Sequence, residues 1–466
     1  MCFLHSVSKI FYMTISYCNH KDFKAMLKKE IKGAPRIHLR LPNANVVLYG
    51  VFDTIVSKNA LEKAVLFLSD KHKLLNCHIE TDKENKVWFV IDKKLSPEIN
   101  TLKSKNINEI IKNELKHRFD FEKGPLIRFT LLNQTETTLI INCHHAICDG
   151  LSLMYLFKDI MKILSGKDIK IEQKMPVFLE PENIPQRLGN PISRFFISLI
   201  NKKWSKKHIS FSNQLHQEMH TKFWKEYKFQ IIPFKFTKEE TANIVSQCKQ
   251  NNVSVTTGLV TAFLYAEKQL FEQKDYSSKV IVTDNLRTHL KNQPDESMGF
   301  FISTLRPNLE YSEKKTFWEN AQIFHKKIKR LLEKELFKNQ LIGLFSPKFL
   351  DIMMLNYFGQ REDKLVKKLL KKAGMYKLNS TFTIANLGIL EIADNLEKLK
   401  VKTLFGPMAI SNAMEKYIGV LTINNELHFS ICFNENNVNQ ESILKMKKLI
   451  SQILDENRCH ISNCEL

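Results

Sequence analysis

The stretch that decides the fold covers residues 142–150 and reads NCHHAICDG. The apolar run before it, residues 138–143, is typical of a buried strand, and apolar side chains follow Gly150 at the spacing of a helix. The two adjacent histidines therefore stand at a strand end, where a site between two structural layers can form. Because neighbouring side chains of a strand point to opposite faces, we expect one histidine to face a channel and the other to pack inward.

The residue types in this stretch suit proton transfer. Imidazole is the natural base near neutral pH, since its unperturbed pKa is about 6.5. Asp149 follows the second histidine by four residues, and it would either pair with a cation or orient His145. Gly150 would permit a sharp exit from the turn.

Three other interpretations of the stretch stay open at this point. Two histidines and an aspartate are good zinc ligands, although adjacent histidines rarely converge on one ion. Cys143 or Cys148 would serve as a nucleophile beside His145. The third interpretation is that both histidines are buried structural residues.

Working outward, the chain divides into three parts. Residues 1–165 and 231–466 alternate strand-like and helix-like segments, which predicts two α/β lobes. Residues 166–230 form an interdomain linker, because four prolines interrupt their first part and a basic, aromatic segment follows. Within the linker, the apolar residues between Ile192 and Ile200 precede Lys202 and Lys203. This segment would lie on a membrane surface, cover a substrate tunnel or dock on the protein, and we favour docking.

Composition limits the class of protein. The 466 residues carry a net charge of +21, but the lysines are scattered and no nucleic-acid-binding signature accompanies them, so we expect no nucleic-acid partner. The nine cysteines show no CxxC spacing, which favours a reduced, cytoplasmic setting. No apolar run is long enough to span a bilayer. The apolar start, residues 1–18, is interpreted as a first strand or a ragged start rather than a signal peptide.

Residues 144–150 resemble the HHxxxDG motif of the CoA-dependent acyltransferase superfamily, which includes condensation domains, chloramphenicol acetyltransferase, polyketide-associated acyltransferases and alcohol acetyltransferases. Other stretches resemble conserved parts of the same family in the same order, over nearly the whole chain: Lys71–Cys77, Phe119–Arg128, Asp284–Arg287, Met298–Phe301, Ala385–Gly388 and Thr422–Phe433. The chain departs from the family pattern at Phe300, where an aromatic replaces the usual asparagine, and at Ala385, where the family has serine.

The resemblance implies an α/β fold of two chloramphenicol-acetyltransferase-like lobes, each a mixed sheet with flanking helices, and an active-site channel between them. It implies that His145 is the general base, with His144, Asp149 and Gly150 completing the catalytic loop. Asn386 would bind the oxyanion or the substrate. Asp149 is expected to form a structural salt bridge with Arg287, and the alternative is that Asp149 only caps the following helix.

The implied reaction is acyl transfer to a hydroxyl or amine of a small molecule or lipid, without an acyl-enzyme. The donor would be acyl-CoA or a phosphopantetheine thioester on a carrier protein, and no cofactor or metal is expected to be bound. Two alternatives are a stand-alone, amide-forming condensation enzyme that acts with carrier proteins, and an inactive scaffold of the same fold. We expect a monomer in the cytoplasm, with an acyl carrier protein and a membrane surface as further candidate partners.

Overall fold

A computed structural model describes residues 28–455, except 105, 168, 170, 172–174, 206–210, 373–377 and 392–398. The strand predicted within residues 1–18 lies outside the described residues. Elements are numbered below in chain order.

The first lobe is built on a five-stranded sheet. Its members are β2 (Asn45–Phe52), β5 (Glu98–Leu102), β6 (Ile127–Asn133), β7 (Thr137–His144) and β12 (Val401–Met408). They lie in the order β12-β2-β7-β6-β5, with β5 parallel to β6 and the other neighbours antiparallel. Every residue of β7 is buried, so this strand is covered on both faces rather than exposed on one of them. A smaller sheet joins β1 (Lys28–Glu30), β3 (Cys77–Thr81) and β4 (Val87–Ile91).

A short helix, α1 (Gly33–His38), precedes β2, and the first lobe carries the helices α2 (Lys58–Leu68), α3 (Ile107–Lys116) and α4 (Gly150–Leu164). The side chain of Ser57 caps α2 by accepting a hydrogen bond from the Ala60 amide, as its position before an apolar-faced segment predicts. Helices α2 and α4 share one apolar core with the inner strands, while α3 contributes to a second core on the opposite side. Helix α4 therefore carries the end of the His145 loop directly into the packed interior.

The second lobe is built on a six-stranded sheet. Its members are β8 (Phe229–Lys235), β9 (Val280–Asn285), β10 (Ile302–Leu305), β11 (Ser380–Ile389), β13 (Met414–Ile423) and β14 (Glu426–Asn434). Their order is β10-β9-β11-β13-β14-β8, and β11 runs parallel to both of its neighbours. Helices α7 (Lys238–Gln250), α8 (Val255–Leu270), α9 (Phe317–Glu335) and α12 (Gln440–Ile453) pack their apolar faces against it.

One strand from the second half of the chain joins the sheet of the first lobe. β12 comes from the C-terminal half of the chain but pairs antiparallel with β2 of the first sheet. Both sheets are mixed and carry helices, so the predicted two-lobed α/β fold is confirmed. The boundaries at 165 and 230 stay a prediction.

The linker region contributes to a helical cluster beside the lobes. Its members are α5 (Pro191–Ser205), α6 (Asn213–Glu226), α10 (Pro347–Tyr357) and α11 (Lys364–Lys372). The preference for docking of the apolar residues in α5 is correct for half-buried Ile200 but wrong for Ile192, Phe195, Phe196 and Leu199, which are exposed. In the described part of the chain, no helix combines the length and apolarity needed to cross a bilayer.

Candidate active site

His145 follows the last residue of β7 and lies in the turn that leads to α4. Its backbone amide donates to the Ala44 carbonyl at 2.7 Å, which fixes the turn against the start of β2. Its ring Nδ1 lies 2.7 Å from the Cys148 carbonyl oxygen. Because a carbonyl only accepts, this contact places the ring proton on Nδ1 and the lone pair of the neutral ring on Nε2. The loop thus prepares Nε2 to take a proton.

Two rings from other parts of the chain flank His145. The His38 ring centroid lies 4.5 Å from that of His145, and the Phe300 centroid lies 5.2 Å from it. His38 ends α1, and Phe300 precedes β10 of the second lobe. His145 therefore lies where the two lobes meet.

His38 is a candidate site residue that sequence reasoning missed. Its Nδ1 is buried and has no hydrogen-bond partner among the described residues. Helix α1 is held in place by Arg36 and Arg40, which pair with Asp351 of α10 at 2.7 and 2.9 Å. An isolated histidine on a six-residue helix has no recognisable motif around it, so no local signal marked it.

Burial keeps the histidines of the site neutral. It lowers the pKa of His145 below its ordinary value, and this effect is opposed by the Cys148 carbonyl and the charge of Asp149. Burial, together with the neighbouring histidines, also holds the pKa of His38 well below the usual range. Both imidazoles are therefore unprotonated at neutral pH, which is the state that a general base requires.

His144 points away from this pair and packs inward. It is buried, its Nδ1 accepts a hydrogen bond from the Ala146 amide at 3.2 Å, and the Phe121 ring meets its own ring edge-on with 5.2 Å between the centroids. Burial lowers the pKa of His144 to about 3. The two adjacent histidines thus have separate surroundings, one at the junction of the lobes and one in the core.

Asp149 and Arg287 form a buried, two-pronged ion pair between the lobes. Arg287 Nη1 and Nη2 lie 2.9 and 3.0 Å from the two carboxylate oxygens. The Phe301 amide donates to the same carboxylate at 2.9 Å. Burial disfavours the charge of Asp149, but Arg287 and these hydrogen bonds outweigh it, so the pKa of Asp149 lies below its usual value. We call this set of contacts the interlobe clamp.

The two alternatives for Asp149 prove to be compatible. Asp149 is also the N-cap of α4, and it accepts from the Ser152 amide at 2.8 Å while it holds Arg287. The Ser152 hydroxyl donates in turn to the Gly299 carbonyl at 2.8 Å. Asp149 thus fixes the helix start and the loop before Phe300 together, and the Cys148 carbonyl, not Asp149, makes the hydrogen bond that orients His145.

Gly150 is needed for a different reason from the one expected. Its φ lies outside the left-handed region, so the sharp exit does not depend on glycine. A Cβ at this position would instead lie 2.9 Å from both Leu387 Cδ2 and Pro407 Cγ. Glycine therefore allows β11 and β12 to approach the start of α4 closely.

Asn386 lies on β11 with its amide fixed. Its Nδ2 donates to Thr256 Oγ1 at 3.1 Å, and its Oδ1 accepts from the Gly388 amide at 3.0 Å. These contacts tie the side chain to the start of helix α8 and to the end of its own strand. Its role in binding substrate or oxyanion stays a prediction.

The competing chemistries receive no support from the geometry. Cys148 is fully buried, and burial raises the pKa of its thiol well above the ordinary value, which disfavours the nucleophilic thiolate. Cys143 is likewise buried in β7. Among residues 28–455 as described, no three His, Cys, Asp or Glu side chains are grouped so that they would hold a metal ion.

A cleft leads toward the His145 loop from the side of α1. It is lined by residues of the first lobe, the linker and the second lobe, among them Gly33, Ala146, Phe178, Gly299 and Phe300. Ala146 follows His145 directly in the chain, and the Phe300 ring flanks the His145 ring, so the cleft borders the His145 loop.

Comparison with known proteins connects this geometry to a family. The profile of the Condensation domain family matches residues 44–343. Among curated proteins, the chain is 23% identical over 274 residues to bacitracin synthase 2 of Bacillus licheniformis, covering 52% of this chain and 10% of that protein. It is 30% identical over 122 residues to surfactin synthase subunit 2 of Bacillus subtilis, covering 25% and 3%. The chain thus spans a tenth or less of the length of these relatives.

Solved structures resemble the chain over nearly its full length. The epimerization domain of the third module of tyrocidine synthetase B matches with a TM-score of 0.61 and 14% identity, covering 93% of this chain and 97% of that one. The TRI3 trichothecene 15-O-acetyltransferase of Fusarium sporotrichioides matches with a TM-score of 0.62 and 13% identity, covering 92% and 94%. At such identities these likenesses establish the shared fold.

Proposed function

Because this chain belongs to the Condensation domain family, within the CoA-dependent acyltransferase superfamily, we propose that it transfers an acyl group from a thioester to a hydroxyl or amine. The observation that carries the proposal is the Nδ1 contact of His145 with the Cys148 carbonyl, which leaves the Nε2 lone pair for the acceptor proton.

In the proposed step, the acceptor oxygen or nitrogen attacks the thioester carbonyl carbon while His145 Nε2 takes its proton. The new carbon–oxygen or carbon–nitrogen bond forms, the carbon–sulfur bond breaks, and the proton passes from His145 to the departing thiolate. No acyl-enzyme is required. Help of this kind from a general base typically contributes about 10²–10⁴-fold.

Other residues around His145 have supporting roles in the proposal. The interlobe clamp holds Phe300 and the His145 loop in one geometry. His38 offers a second neutral imidazole, whose unpaired Nδ1 would bind a polar group of the acceptor. Asn386 remains the candidate for stabilising the oxyanion, since a side-chain amide donates to developing negative charge. A monomer would suffice, because both lobes of the site come from one chain.

The donor is either a coenzyme A ester or a phosphopantetheine thioester on a carrier protein. The curated relatives named above are synthases, and this favours the carrier-borne thioester and an amide-forming condensation. The net charge of +21 would attract either donor, since both the phosphates of CoA and an acidic carrier are anionic. The five described cysteines are free thiols, which suits the proposed work in the cytoplasm.

The test is thiol release from a panel of acyl-CoAs and acyl-phosphopantetheinyl carrier proteins, each with mixed alcohols and amines. We expect release that depends on an acceptor and an acylated product detected by mass spectrometry. Thiol release by hydrolysis alone would contradict transfer to an alcohol or amine, and no release with any donor would favour the inactive-scaffold alternative.

A further inference from the structure

Helix α5 has two apolar faces, and the described residues cover only one of them. Ile197 and Trp204 are buried, and Trp204 packs in the helical cluster together with half-buried Ile200. On the solvent side, four large apolar residues follow one another at helical spacing and are exposed to 68, 61, 58 and 49%: Ile192, Phe195, Phe196 and Leu199. Scattered single apolar residues are normal on a surface, but a continuous stripe marks an interaction site. We call these four residues the α5 stripe.

The sequence around the α5 stripe carries basic residues and no acidic residues to balance them. No Asp or Glu occurs between Glu182 and Glu218, and this interval contains six basic residues: Arg187, Arg194, Lys202, Lys203, Lys206 and Lys207. Lys202 and Lys203 are exposed at the end of α5. Lys203 follows Leu199 by four residues, so it continues the stripe along the same side of the helix.

Another helix of the same helical cluster also carries positive charge. Helix α11 packs Val366 and Leu370 into the same helical cluster as α5. On α11, Lys364, Lys368 and Lys371 are exposed. The cluster that presents the stripe is therefore basic as well as apolar.

We propose that the α5 stripe binds the surface of a membrane rich in anionic lipid, with α5 lying in the plane of the interface. The apolar side chains would enter the boundary between headgroups and acyl chains, while Lys202 and Lys203 extend to the headgroup phosphates. A protein partner would need an apolar surface shaped to fit this helix. A lipid surface accepts any apolar stripe flanked by lysines, and its negative charge matches the basic interval. This inference does not depend on the proposed acyl transfer.

The test is co-sedimentation of the full chain with vesicles of phosphatidylcholine alone or of phosphatidylcholine mixed with phosphatidylserine. We expect binding to the mixed vesicles that weakens with salt. Phe195→Glu combined with Phe196→Glu should lower the partition coefficient at least about tenfold. Lys202→Ala and Lys203→Ala should each lower it roughly fivefold. The matched control is Leu66→Glu, which changes a residue that is 62% exposed on α2 and should leave binding unchanged.

Folding of each variant is checked by its thermal unfolding curve. The proposal is overturned if the chain does not bind the mixed vesicles, or if Phe195→Glu with Phe196→Glu and Leu66→Glu weaken binding equally. A dimer in gel filtration that the double glutamate variant dissolves would assign the stripe to a second copy and also overturn it. If the chain binds vesicles only after residues 1–27 are removed, that segment rather than a membrane is the partner of the α5 stripe, and the proposal is also overturned.

Discussion

At the scale of single residues, the site depends on where one proton resides. The Cys148 carbonyl holds the proton of His145 on Nδ1, and burial keeps the ring neutral. The nearby His38 is kept neutral as well. The protein therefore does not need an aspartate in contact with His145, and it uses Asp149 elsewhere.

The first prediction concerns pH. The base works only when it is unprotonated, and burial lowers the pKa of His145. The acid limb of kcat/KM should therefore have its midpoint below the unperturbed histidine value of about 6.5. Activity should be complete above that midpoint and disappear as the pH falls through it. The measurement is a pH–rate profile of thiol release, and an acid midpoint at or above about 6.5 would contradict the assignment.

The second prediction concerns the interlobe clamp. Asp149→Ala and Arg287→Ala should each reduce the free energy of unfolding by about 3–5 kcal/mol, because each leaves an unpaired buried charge or a lost cap. The double variant should lose much less unfolding free energy than the sum of the two single losses, because the second substitution removes a partner that is already unpaired. Asp149→Asn keeps the cap of α4 and loses the charge, so it separates the two roles. Strict additivity in denaturant unfolding would show that the pair does not act as a unit.

The sequence predicted the clamp but not the whole site. Asp149 and Arg287 lie 138 positions apart, and only the resemblance to a family brought them together. The predicted role of Gly150 in a sharp turn was wrong. The residue must be small because Pro407 approaches it closely, and this contact comes from a strand far away in the sequence. His38 was missed, since a single histidine carries no pattern.

At the scale of elements, β12 acts as a bridge between the lobes, and glycines leave room for it. Pro407 of β12 lies against Gly150 of α4, and a Cβ at Gly419 of β13 would lie 2.1 Å from the Pro407 carbonyl oxygen. Pro407 of this strand thus contacts both helix α4 and the second sheet.

The third prediction follows from this contact. Gly419→Ala should destabilise the protein by about 1–3 kcal/mol, because backbone atoms must shift to admit the methyl group. Turnover should also fall, since Pro407 supports the start of α4. The matched control is Gly343→Ala, whose Cβ would have its nearest neighbour at 3.5 Å. Equal unfolding free energies for the two variants in urea would show that β12 has room to move.

Local patterns predicted elements far better than they predicted pairings. The strand expected at residues 138–143 and the helix expected after Gly150 are observed as β7 (Thr137–His144) and α4 (Gly150–Leu164). The pairing of β12 with the first sheet was not predicted, because the sequence of a strand does not indicate which strand it pairs with. For α5, a helix with two apolar faces gives no sign of which face packs.

At the scale of the whole molecule, the net charge of +21 raises the question of nucleic acid. The fourth prediction is that binding to duplex or single-stranded DNA is weak, without sequence preference, and falls at least about tenfold between roughly 50 and 200 mM salt. The reason is that the charge is scattered over many elements and no reading element accompanies it. Filter binding at several salt concentrations measures this, and a tight complex that survives the higher salt would refute it.

The fold alone does not decide the reaction, since an epimerization domain and an O-acetyltransferase share it with this chain. The proposed reaction therefore rests on His145 at the junction of the lobes. Its ring contacts the Cys148 carbonyl, while the adjacent His144 is buried in the core. The most direct test therefore removes each of the two histidines separately.

That measurement is acceptor-dependent thiol release by wild type, His145→Ala and His144→Ala, with His325→Ala as a control for loss of a histidine on α9. The account predicts that His145→Ala retains the unfolding curve of the wild type and loses at least about 10²-fold in turnover. His144→Ala should be less stable but more active than His145→Ala, and His325→Ala should turn over normally. A folded His145→Ala variant that keeps more than about a tenth of wild-type turnover would contradict the general-base role.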